Sequence, residues 1–167
     1  MKLKILKMKK ITFILLALIS GTAFAQNSGS ATAVVNAEIV KPITISSTGV
    51  LDFGKITPNG SVGQVRLTPA NVRTLSAGMI VPGSTTTTVP TFTVVKETGL
   101  AYTVVTGSTD LALSGAPAIK LKDITTSLDG SGSYTASEFT VGGTLEIAGD
   151  QPAGVYEGQV SITVSYE

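Results

Sequence analysis

A chain of 167 residues with no cysteine, histidine or tryptophan cannot form a disulfide, hold a metal through thiolate or imidazole, or run a histidine-based triad. The 12 Lys+Arg against 11 Asp+Glu give a formal net charge of +1, but five of the lysines fall within the first ten residues and no acid occurs before position 26. Beyond position 25 seven basic and eleven acidic residues remain, a net charge of −4 that gives no electrostatic reason to bind nucleic acid or anionic lipid.

Lys2, Lys4, Lys7, Lys9 and Lys10 make a cationic start, residues 11–19 are apolar apart from Thr12, and Ala23-Phe24-Ala25 has the small-x-small pattern of a cleavage site. This order reads as a cleavable signal peptide over residues 1–25. The apolar run is shorter than the roughly 20 residues a membrane span needs, so no stable span is expected after cleavage. With no cysteine, anchoring through an acylated cysteine is excluded. Residues 26–30 then read as a short tail, and residues 31–167 as one domain.

Short runs rich in Val, Ile, Thr, Phe and Tyr alternate from here with Gly, Pro, Asn and Ser clusters, the pattern of strands and turns. In residues 31–40, Ala31, Ala33, Val35, Ala37 and Ile39 fall on one face by period two. Pro42 interrupts, residues 43–45 resume a strand, and residues 46–49 turn. A strand over 50–54 precedes the Pro58-Asn59-Gly60 turn.

Residues 63–68 alternate with Val65 and Leu67 on one face, residues 73–81 read as a further strand, and residues 82–88 as a loop. Residues 91–95 and 101–105 bracket Lys96-Glu97-Thr98-Gly99 as a hairpin would. Strands over 119–125 and 143–147 follow. The closing run, 155–166, alternates Val160, Ile162, Val164 and Tyr166 with Ser161, Thr163 and Ser165, one face buried and one solvated. About nine strands without a fixed repeat predict an all-β fold, a single antiparallel β-sandwich.

The residues offer little chemistry. No Ser lies in a Gly-x-Ser-x-Gly elbow or a Ser-x-x-Lys motif. Asp129-Gly130-Ser131-Gly132-Ser133 has one acid where a calcium loop needs several, and Gly142-Gly143 is not followed by the residues of a phosphate loop. We assign no catalytic, cofactor-binding or metal-binding residue and no cofactor, and expect the protein not to be an enzyme.

Residues 31–40 allow two roles. They fit the first strand of the protein's own sandwich, or a strand added to a neighbour's sheet. The shortness of the 26–30 tail favours the first.

Three stretches taken together resemble the bacterial family called domain of unknown function 4402. They are residues 31–45 leading into Val50-Leu51-Asp52-Phe53-Gly54, the central Val141-Gly142-Gly143-Thr144-Leu145, and Gln151-Pro152-Ala153-Gly154-Val155-Tyr156-Glu157-Gly158 continuing to Tyr166. The Leu-x-Phe-Gly and Ala-Gly-x-Tyr-x-Gly elements are also similar to spore coat protein U domains and to major subunits of chaperone–usher pili. The spore-coat relatives have cysteines that this chain lacks. The resemblance implies an immunoglobulin-like or pilin-like sandwich, exported to the periplasm, cell surface or medium, and carries over no catalytic residue.

On the residues alone, Leu51 and Phe53 read as core anchors and Gly54 as a bend. Tyr156 is placed to pack while its hydroxyl bonds nearby backbone. The functional expectation is a structural or adhesive surface protein, a pilus-like subunit that joins itself or other subunits by β-strand addition, with no nucleic-acid partner. The alternative is a soluble module binding carbohydrate or peptide. Without Trp, and with only three Phe beyond the signal, few aromatic platforms are available for sugars.

Overall fold

The computed structural model describes residues 28–167 except 77, 129 and 131, so the signal-peptide reading and part of the Asp129–Ser133 loop lie outside the described residues. The chain divides into two units, Met1–Glu38 and Ile39–Glu167. In the first, residues 28–38 form no strand and are exposed throughout.

Among its described residues the second unit holds ten strands: β1 (Thr44–Thr48), β2 (Thr57–Pro58), β3 (Gly63–Leu67), β4 (Arg73–Leu75), β5 (Met79–Ile80), β6 (Thr91–Val95), β7 (Tyr102–Ser108), β8 (Lys120–Thr126), β9 (Glu138–Ile147) and β10 (Val160–Tyr166). All pairings are antiparallel, and no helix occurs among the described residues. The protein is all-β.

β9 organises the main sheet. Its first residues pair with β6 (Phe92↔Phe139) and its last with β3 (Val65↔Leu145), while β8 lies along it from Thr126↔Val141 to Lys120↔Glu146. β1 extends the sheet beyond β6, and β4 extends it beyond β3. Being paired this fully, β9 buries Val141 through Leu145 without a break, as a central strand should. β10 and β7 form a separate ribbon, and β2 and β5 a short one.

Side chains from the ribbon and the main sheet share one apolar cluster. Phe92, Val94, Phe139 and Val141 meet Tyr102, with Ile45, Val104, Ile162 and Val164 packed around them. This is the two-layer burial of a sandwich. A second cluster, with Phe53, Val65, Leu67, Leu121, Leu145 and Ile147, fills the other end of β9.

Several local expectations are corrected. The first strand begins at Thr44 and not at Ala31: Val34, Val35 and Ile39 are 86%, 89% and 96% exposed. Alternation gave those residues strand character, and no sheet position was encoded with it. The 46–49 turn gives way to β1, which continues to Thr48.

Residues 91–95 and 101–105 do not form a hairpin. β6 pairs with β1 and β9, and β7 pairs with β10 from Tyr102↔Tyr166 to Ser108↔Val160. Phe92, Val94 and Tyr102 are all buried in one cluster, so the chain arches from one layer to the other.

Residues 50–54 contribute a single bridge, Asp52↔Thr88, in place of a strand. The 73–81 run splits into β4 and β5, which join different sheets. β9 starts five residues earlier than expected because Glu138-Phe139-Thr140-Val141 already alternates, and the closing strand is confined to Val160–Tyr166.

Candidate functional site

Residues of the Leu-x-Phe-Gly and Ala-Gly-x-Tyr-x-Gly motifs line one cleft. In Leu51-Asp52-Phe53-Gly54 the Phe53 ring is buried while Gly54 bends the chain at φ +73°. The Gly54 N–H donates to Asp52 Oδ1 at 2.8 Å, and Arg73 Nη1 donates to the Phe53 carbonyl at 2.7 Å and to Thr85 Oγ1 at 3.1 Å. A Cβ on Gly54 would stand 2.7 Å from Arg73 Nη1, so both the bend and the guanidinium contact require glycine.

In the second motif the Tyr156 hydroxyl donates to the Pro152 carbonyl at 2.9 Å. It accepts from Gln151 Nε2 at 2.9 Å, and the same amide reaches the Pro117 carbonyl at 2.6 Å. The Tyr156 side chain packs on the cluster around Leu145 and Ile147. The sequence expectation for this tyrosine, a packed side chain with its hydroxyl on nearby backbone, is met.

Between these segments lies a cleft of about 970 Å³. Its floor is core: Phe53, Ile119, Leu145 and Ile147 line it, although each is no more than 6% exposed. Two stretches of its lining have backbone to spare. Lys55 and Ile56, and Ala153, Gly154 and Val155, make no hydrogen bond among the described residues. Gly149, also in the lining, is held close to Gly60, where a Cβ would come within 2.5 Å of the Gly60 carbonyl carbon.

The first and last strands are both edges. Among the described residues β1 pairs with β6 alone and β10 with β7 alone. They meet at one point. Tyr166 Oη donates to the Lys41 carbonyl and accepts the Glu97 N–H, while Glu97 Oε2 accepts the Lys41 N–H at 3.2 Å and Oε1 the Thr98 N–H at 3.1 Å. The Lys41 and Thr98 backbone donors hold the Glu97 carboxyl below the ordinary glutamate value.

Other charged groups do not converge. Lys122 and Glu146 pair across β8 and β9; their hydrogen bond raises the lysine and lowers the carboxyl. About a third of each side chain is exposed, and the contact is cross-strand support. No group of three or more His, Cys, Asp or Glu that could hold a metal occurs among the described residues. No described helix is long and apolar enough to cross a membrane.

Gly142 and Gly143 serve packing. A Cβ at Gly142 would stand 2.2 Å from the Leu67 carbonyl oxygen. Sequence reading gave Leu51, Phe53, Gly54 and Tyr156 fold roles only and did not find the cleft that their segments line together, because the two segments lie far apart in the chain and carry no local signal of one another.

None of the curated proteins and none of the solved structures compared matches this chain. Residues 43–166 match the family described as Domain of unknown function (DUF4402), a span that runs from just before β1 to the end of β10 and contains both walls of the cleft. The chain belongs to the DUF4402 family.

Proposed function

We propose that this protein is exported and acts, without enzymatic activity, as a structural or adhesive component of the cell surface, its copies joined by β-strand addition. The observation that carries the reading is residues 31–39: an alternating, uncharged apolar face up to Ala37, outside any strand, with Val35 and Ile39 almost fully exposed. Exposed strand-forming sequence in a chain that also has edge strands is a liability in a monomer and a means of joining in a polymer. The lysine-rich start, apolar run and Ala23-Phe24-Ala25 support export by the usual secretory route.

The test is the size of the protein with and without residues 26–40. The intact chain should form SDS-resistant ladders that a peptide spanning residues 31–40 shortens, and the truncated chain should stay monomeric. An intact chain that is monomeric at all concentrations would sink the proposal.

A further inference from the structure

We infer that the cleft between residues 51–56 and 151–156 is the acceptor site for residues 31–39 of a second copy of this chain. The inference rests on the strand-addition reading and supplies the surface that reading lacks.

The occupant follows from what the cleft offers. Leu51, Ile56 and Leu111 leave partly exposed apolar surface in its lining, which asks for apolar side chains. Two stretches of its lining carry backbone without hydrogen-bond partners among the described residues: Lys55 and Ile56, and Ala153 through Val155. A compact ligand would cover the apolar surface and leave both stretches to water. An extended strand satisfies apolar surface and backbone together, because its side chains point down while its N–H and C=O groups point sideways.

Residues 31–39 fit this requirement. They are nine residues long, reaching about 30 Å when extended, with one-face side chains about 7 Å apart. Ala31, Ala33, Val35, Ala37 and Ile39 supply that face, small enough to enter a cleft already floored by Phe53, Leu145 and Ile147. Glu38 is the single charge in the segment and falls on the opposite face. The site also has continuity with the edges: its walls follow β1 in the chain on one side and precede β10 on the other.

The absence of native cysteine makes the test direct. A V35C copy is mixed with a tagged V155C copy and oxidised gently; Val155 is 75% exposed and lines the cleft, so the variant should fold. Two parallel mixtures carry T163C, on the exposed side of the β10 edge, and T106C, at an exposed position of β7. A gain of disulfide-linked mixed dimer with V155C, well above that with T163C or T106C, is the expected result. Dimer formed equally with T106C, or mainly with T163C, overturns the cleft as acceptor. Absence of cross-linking while the unmodified chain still assembles would leave strand addition standing with its acceptor elsewhere. Absence of assembly altogether would remove both.

Discussion

The hydroxyl of Tyr166 donates a hydrogen bond to the carbonyl of Lys41 at 2.8 Å, joining positions 125 residues apart at the two ends of the folded unit. The same oxygen receives the Glu97 N–H at 2.7 Å. One side chain thus ties the entry to β1, the arch between β6 and β7, and the end of β10. Tyr166→Phe keeps the ring and removes both bonds. It is expected to lower stability by about 1–2 kcal/mol, given about 0.5–1.5 kcal/mol for each bond, read as a lower urea midpoint with an unchanged slope.

Glu97 makes the same junction sensitive to acid. Its folded-state pKa lies below its ordinary value, so its contribution is present above the ordinary glutamate pKa and is lost as pH falls through the lowered folded value. Glu97→Gln should therefore destabilise the protein near neutral pH, and the difference from the native chain should shrink in acid. Urea midpoints measured for both proteins from neutral pH down to about pH 3 decide it; a difference that stays constant would count against the ionic role.

Gly142 and Gly143 are adjacent in β9 but should respond differently to alanine. At Gly142 the added carbon meets backbone atoms of Leu67, Thr68 and Pro69, at distances down to 2.2 Å. At Gly143 it meets the ends of the Ile124 and Leu121 side chains at 3.0 and 3.1 Å. Gly142→Ala should cost about 3 kcal/mol, the upper range of overpacking, and Gly143→Ala about 1 kcal/mol. Thermal unfolding of the two variants side by side checks the order.

Tyr156→Phe should leave the ring on its cluster and release the Pro152 carbonyl and the Gln151 amide. The expected loss is about 1 kcal/mol. Chemical denaturation gives the loss, and the disulfide assay above shows whether the cleft wall has moved: if the wall is held by this hydroxyl, cross-linking from Val35→Cys to Val155→Cys should weaken.

Much of the fold could be read from residues whose signal is local. Val65 and Leu67 alternate with Gln64 and Arg66, and both are fully buried in β3. Val160, Ile162 and Val164 turn inward from β10 while Ser161, Thr163 and Ser165 stay outside. Partnership was not legible. Nothing in Thr91–Val95 says that its neighbours are Thr44–Thr48 and Glu138–Thr140 in preference to the strand six residues downstream; that is settled by Phe92 stacking on Phe139 at 5.5 Å, a contact 47 positions away. Residues 31–40 show the same limit. Their alternation announces a strand, yet they enter none of the described sheets.

The position of β9 late in the chain has a kinetic consequence. β3 with β4 and β6 with β1 are joined into one sheet only through β9, so the sheet cannot close until residues 138–147 have been made and delivered. A fold that waits for such distant partners closes slowly, in milliseconds to seconds for sheets of this kind. Meanwhile its early strand-forming segments stay open to whatever else offers a backbone edge. A chain built this way gives the order in which its pairings should become protected from hydrogen exchange: β3 with β4 and β8 with β9 first, the pairings nearest in sequence, and β3 with β9, the pairing whose residues lie farthest apart in the chain, last.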